Sequence, residues 1–69
     1  MMMMRIREAE TQLRAVSHPH AWVKRVRNDE GGYVYEAGIG PKTLASGCYS
    51  PEQCYAMASL KYDIQENNR

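Results

Sequence analysis

Phenylalanine is absent from this chain of 69 residues and tryptophan occurs once, so few large apolar side chains are available for a core. Chains this short bury only about 60% of the surface that their unfolded form exposes. No apolar run reaches the length of a signal-peptide core or a membrane span, because Arg5 and Arg7 follow directly on the four opening methionines. We therefore expect one small cytoplasmic domain over residues 1–69, frayed at 1–4 and 66–69 and without membrane contact.

Cysteine is also scarce: the chain has two, too few for a disulfide framework. Buried free thiols are the expected state of Cys48 and Cys54, although a local bridge from a strand end to a first helical turn stays open. His18 and His20 lack a second ligand pair at metal spacing. With no acid–base pair and no phosphate loop, the sequence predicts a protein that is not an enzyme and needs no metal or cofactor.

The charge is small in total but unevenly placed. The net charge is +1, yet residues 1–27 carry a net charge of about +4 and residues 28–69 about −3. Hydrophobic residues make up 43% of the chain and charged residues 25%, which is typical of a folded domain. This asymmetry indicates a surface that binds nucleic acid or an acidic partner. The alternative is an ordinary solvated surface.

The first half of the chain predicts a helix followed by a hairpin. Ile6, Ala9, Leu13 and Val16 recur at helical spacing, so a helix is expected over about residues 4–17. Pro19 disfavours helical geometry in the residue before it and ends this segment. The turn signal of residues 28–32 lies between two strand-like runs and predicts a hairpin over about residues 21–39.

A four-residue loop at 29–32 sets one register for this hairpin, with Arg25 facing Glu36 and Trp22 facing Ile39. One face of the sheet is then expected to receive the helices, despite Lys24 and Asn28 on it. Its apolar members are Trp22, Val26, Tyr33, Tyr35, Ala37 and Ile39. The opposite face is predicted to point outward and carries Val23, Arg25, Arg27, Val34, Glu36 and Gly38.

The second half predicts a weak third strand, residues 43–49, and a well-marked helix. Ser50 is a helix cap, Pro51 suits the first helical position, and Gln53 can complete a capping box. The expected buried stripe of this helix contains Cys54, Met57, Leu60 and Ile64. The prediction is an α+β fold in the order α-β-β-β-α, with both helices on one face of a three-stranded antiparallel sheet.

The outward sheet face is the first candidate for function. Arginines on a strand can grip phosphates or read base edges, and Arg25 and Arg27 could be joined there by Arg5, Arg7 or Arg14. The alternative is that they only prevent aggregation of the sheet edge.

Residues 22–27, 32–36 and 47–56 together resemble the three-stranded sheet plus helix of integrase arm-type DNA-binding domains. The resemblance covers about residues 21–64 and implies DNA contacts from Lys24, Arg25 and Arg27. The element order is also similar to that of double-stranded-RNA-binding domains. In that family the second helix begins with a lysine cluster that binds phosphates, whereas this chain has Pro51, Glu52 and Gln53 there, so this resemblance ranks below the first.

The chain is also similar in style to phage and mobile-element accessory proteins, many of which bind and inhibit a host protein. In that interpretation, Tyr55, Tyr62, Asp63 and Glu66 form the interface. A non-enzymatic binding protein with nucleic acid as its ligand is the preferred prediction, and a protein-binding inhibitor is the alternative. A homodimer stays open.

Overall fold

The computed structural model describes residues 4–67, which follow the predicted α-β-β-β-α order. Helix α1 spans Ile6–Val16 and precedes strands β1 (Ala21–Arg27), β2 (Tyr33–Ile39) and β3 (Lys42–Cys48). Helix α2 spans Pro51–Asn67, so it continues two residues into the segment expected to fray. The remaining predicted ends, residues 1–3 and 68–69, lie outside the described residues.

The three strands form one antiparallel sheet in the order β1-β2-β3. Helix α1 packs on β1, α2 packs mainly on β3 and β2, and the two helices contact each other. The pairing of β3 with β2 shifts twice along its length. This irregularity fits the poor strand-forming residues Ser46 and Gly47, of which Gly47 has a positive φ of 66°. The fold class is α+β, as predicted.

The core is built largely from small side chains. Among residues 4–67, half of the buried hydrophobic residues are alanines, and the largest fully buried side chain is that of Leu13. The buried hydrophobic residues are Ala9, Leu13, Ala21, Val23, Ala37, Leu44, Ala45, Cys48, Cys54 and Ala58. Small residues at these contacts let helix and sheet backbones approach closely, which keeps so thin a core densely packed.

Helix α2 begins with the cap that its sequence predicts. The Ser50 Oγ accepts a hydrogen bond of 3.1 Å from the Gln53 backbone N–H. The reciprocal bond differs from a standard capping box, because the Gln53 Oε1 accepts from the backbone N–H of Tyr49 at 2.8 Å. Both bonds fix the chain where it leaves β3, and Pro51 is buried beneath this first turn.

The predicted register of the hairpin is wrong by one residue. The Asn28 N–H donates to the Gly32 carbonyl at 2.9 Å, so the loop between this pair has three residues rather than four. The Asn28 Oδ1 accepts the N–H groups of Glu30 and Gly32, and Gly31 has a φ of +84°. A type I turn closed by a left-handed glycine is a common three-residue hairpin, and it pairs Arg25 with Tyr35.

Because of this shift, the buried face of β1 is the one predicted to point outward, whereas the buried face of β2 is the predicted one. Ala21 and Val23 are buried, and the strand residues between and beyond them, Trp22, Lys24 and Val26, lie on the opposite face. On β2, Ala37 is buried, and Tyr35 and Ile39 pack against the core. Arg25 and Arg27 therefore lie on the helix side of the sheet, not on its outward face.

Trp22, predicted to face the helices, lies across the outward face instead. Its indole Nε1 donates to the Gly40 carbonyl at 2.7 Å. Gly38 makes room for it, since a Cβ there would lie 2.6 Å from the Trp22 Cζ2. The close contact explains why a glycine interrupts β2.

The buried stripe of α2 was also predicted only in part. Cys54 is fully buried, but Met57, Leu60 and Ile64 are 44%, 62% and 51% exposed. The helix instead buries Pro51, Cys54 and Ala58. The large apolar side chains face solvent because the small ones fit the close approach of α2 to the sheet.

Candidate nucleic-acid interface

Two side chains of α1 occupy the free edge of β1. The Glu10 Oε1 accepts the backbone N–H of Val23 at 3.1 Å, and the Arg14 Nε donates to the Ala21 carbonyl at 2.8 Å. Glu10 and Arg14 also form an ion pair at 3.6 Å. These bonds satisfy strand groups that have no neighbouring strand, and they protect the first half of the edge against pairing with another chain.

The same bonds show that α1 runs antiparallel to β1, because the later helix residue contacts the earlier strand residue. With rises of about 1.5 Å per helical residue and about 3.3 Å per strand residue, the start of α1 falls alongside Arg25 and Arg27. Ile6 and Tyr35, the partner of Arg25, both pack against the core.

Four arginines therefore share this end of the molecule. We call it the arginine end, and its members are Arg5, Arg7, Arg25 and Arg27. All four are exposed. Among the described residues, the ion pairs are those of Arg14 with Glu10 and Lys24 with Glu36, so none of the four is neutralised by a carboxylate within 4.0 Å. Guanidinium groups in this state can make charge-assisted bonds to phosphate.

Arg25 and Tyr33 add an aromatic element to the arginine end. The guanidinium carbon of Arg25 lies 4.3 Å from the ring centroid of Tyr33, and Tyr33 is 53% exposed. A stacked guanidinium is held in place by the ring and still presents its donors outward. Asp29 and Glu30 lie nearby in the hairpin loop and limit the net charge of this end.

Lys24 does not join Arg25 and Arg27, contrary to the grouping of the three predicted contacts. It lies on the outward face, where its Nζ is 3.8 Å from the Glu36 Oε1 and 5.1 Å from the Trp22 ring centroid. Since Lys24 is paired with a carboxylate and points away from the helices, the outward face is not a basic surface.

The four residues of the predicted protein interface all lie on α2. Tyr55 and Tyr62 are half-buried and pack against the core, whereas Asp63 and Glu66 are exposed. Sequence reasoning missed the surface that α2 does present, which we call the α2 stripe and which consists of Met57, Leu60 and Ile64. The sequence pattern that could have revealed this surface is the stripe of smaller residues at 51, 54 and 58, which lies on the buried side of α2.

Cys48 and Cys54 are both buried and unbridged. Burial raises the pKa of the Cys54 thiol well above its ordinary value, and a hydrogen bond with Cys48 raises it further. His18 and His20 lie with ring centroids 5.2 Å apart. Within residues 4–67, no group of three histidine, cysteine, aspartate or glutamate side chains is placed to hold a metal ion.

Comparison with known proteins gave no match to a family model, a curated protein or a solved structure. No helix in the described part of the chain is long and apolar enough to cross a membrane.

Proposed function

We propose that this chain is a non-enzymatic, cytoplasmic protein that binds nucleic acid through the arginine end. The observation that carries the proposal is the gathering of four exposed arginines, none ion-paired among the described residues, at the end of α1 and β1 that Glu10 and Arg14 leave open. Unpaired guanidinium groups bind phosphate without first breaking an internal ion pair. The stack of Arg25 on Tyr33 supplies a preordered donor beside an exposed ring.

The proposal changes the surface, not the kind of ligand, expected from the integrase-type resemblance. In that interpretation the outward face of the sheet would enter a DNA groove, but here that face carries the ion pair of Lys24 and Glu36. Contact from the edge and end of the molecule suits the phosphate backbone, which carries affinity rather than sequence preference. We therefore expect weak, salt-sensitive binding with little sequence selectivity.

Fluorescence anisotropy with a labelled DNA duplex tests this proposal directly. If all four arginines contact phosphates, the logarithm of the binding constant should fall with the logarithm of salt concentration at a slope of about −3.6. Arg25→Glu combined with Arg27→Glu should abolish binding at low salt. The exposed Lys61 on α2 provides a control, and Lys61→Glu should leave binding nearly unchanged. No binding by the wild-type protein at low salt would contradict the proposal.

The α2 stripe favours a second candidate function, binding to a protein as an inhibitor of a host factor. Its three exposed apolar side chains are spaced by three and four residues, the spacing with which one helix packs against another. The matching partner is therefore an amphipathic helix of another protein. The tagged chain should then retain a lysate protein after nuclease treatment, and Leu60→Glu should abolish this retention. That result would favour this candidate. Loss of all retained material on nuclease treatment would favour the first.

A further inference from the structure

The Cys48 sulfur contacts two other sulfur-containing side chains where β3 ends and α2 begins. The Cys48 Sγ lies 3.8 Å from the Met57 Sδ, and the Cys54 thiol is hydrogen-bonded with Cys48. Cys54 and Met57 are three residues apart on α2, so both side chains project from the same side of the helix over one turn. The Ser50 cap fixes this turn relative to the end of β3.

The chemistry of the cluster is that of soft ligands. Thiolates and thioethers together select Cu(I), whereas hard cations need carboxylate or carbonyl oxygens. Metal–sulfur bonds are about 2.3 Å long, so three sulfurs around one ion in a plane lie about 4 Å apart. The observed separation of 3.8 Å between Cys48 and Met57 is close to this spacing. A structural zinc site would require a fourth ligand. No three histidine, cysteine or carboxylate side chains are grouped for such a site within the described part of the chain.

The burial of the three residues provides a protected site with an entrance. Cys48 and Cys54 are 2% and 0% exposed, while Met57 is 44% exposed. An ion could therefore reach the thiols past the flexible thioether side chain, which lies at the surface. The Cys48 thiol also contacts the Ser46 carbonyl at 3.8 Å.

We propose that Cys48, Cys54 and Met57 form a three-coordinate binding site for Cu(I). Three copper–sulfur bonds form, the two thiol protons leave to solvent, and copper keeps its oxidation state. The site lies in the core between β3 and α2, so the proposal is independent of nucleic-acid binding at the arginine end.

Anaerobic titration with Cu(I), in competition with a coloured Cu(I) chelator, tests the site. The wild-type protein should remove one equivalent of Cu(I) from the chelator and gain the ultraviolet absorption of a copper–thiolate bond. Cys54→Ser should abolish this absorption. Met57→Leu keeps the size and exposure of the side chain, and it should weaken Cu(I) retention by more than about tenfold without changing the circular dichroism spectrum.

The opening methionines give the experiment its most important control, because thioethers outside the site could also bind Cu(I). Replacing residues 1–4 other than the initiator by leucine should leave retention unchanged. If that variant loses Cu(I) and Met57→Leu does not, the proposal is wrong. Failure of the wild-type protein to compete with the chelator would also overturn it.

Discussion

Arg25 stacks on Tyr33 across the end of the hairpin, with its guanidinium carbon 4.3 Å from the ring centroid. The two residues are diagonal neighbours on one face of the sheet, since Arg25 pairs with Tyr35 and Arg27 with Tyr33. A register with Arg25 opposite Glu36 would place these side chains on opposite faces. The contact therefore belongs to the observed register, and that register sends Arg25 and Arg27 to the helix side.

The first prediction concerns Gly38. A Cβ at this position would collide with the Lys42 carbonyl and with the Trp22 ring, neither of which can move without disturbing the sheet. Gly38→Ala should lower the free energy of unfolding by about 2–4 kcal/mol, measured by urea denaturation. Gly32→Ala is the control, because its Cβ meets only ordinary contacts of 3.5 Å or more. Equal stability of the two variants would contradict the packing of Trp22 over Gly38.

The second prediction concerns the Ser50 cap. Ser50→Ala removes the acceptor for the Gln53 N–H and should cost about 1 kcal/mol of unfolding free energy. Ser50→Asp retains an acceptor oxygen and should remain close to wild-type stability. Thermal unfolding of both variants makes the comparison, and a large loss in Ser50→Asp would show that the cap does not act through this hydrogen bond.

The third prediction compares two leucines. Leu13 is fully buried and Leu60 is 62% exposed. Leu13→Ala should therefore destabilise the fold by about 2–5 kcal/mol, whereas Leu60→Ala should change stability by less than about 0.5 kcal/mol. Chemical denaturation provides both values. A loss of more than about 2 kcal/mol in Leu60→Ala would contradict the exposed position of Leu60 and would favour the buried stripe expected from the sequence.

The fourth prediction concerns thiol reactivity. Cys48 and Cys54 are buried, which limits access of a reagent to both sulfurs, and burial also raises the pKa of the Cys54 thiol, which disfavours its nucleophilic thiolate. In the absence of metal, a disulfide reagent should label both cysteines at least about tenfold more slowly in the native protein than in urea. Rapid labelling of native Cys54 would contradict its position on the buried side of α2.

The sequence predicted those features that depend on local chemistry. Element order and the start of α2 follow from turn residues and from Ser50 and Pro51, which act within a few residues of themselves. The hairpin register failed because it depended on whether the loop had three or four residues. The three-residue loop is fixed by the hydrogen bond that the Asn28 side chain accepts and by the positive φ of Gly31. The composition of the turn alone does not distinguish a three-residue loop from a four-residue loop.

The prediction of which face of α2 is buried was wrong in part, for a different physical reason. Size and hydropathy favour Met57, Leu60 and Ile64 over Ala58 as core residues, yet the buried side of α2 carries the smaller side chains. For the candidate site, the sequence suggested Arg25 and Arg27, joined by Arg5, Arg7 or Arg14, and in the structure Arg14 instead bonds the Ala21 carbonyl. The sequence-based register placed Lys24 on the helix side and the two arginines on the outward face, which is the reverse of the structure, because one residue of register decides which face of β1 meets the helices.

Charge reversal at two adjacent residues tests the central claim most directly. Arg25→Glu and Lys24→Glu change the net charge equally, but the two side chains lie on opposite faces of β1. With a DNA duplex as ligand, Arg25→Glu should weaken binding by more than about tenfold, because it removes a phosphate contact and adds repulsion. Lys24→Glu should weaken it by less than about threefold. Equal or greater loss in Lys24→Glu would contradict binding through the arginine end.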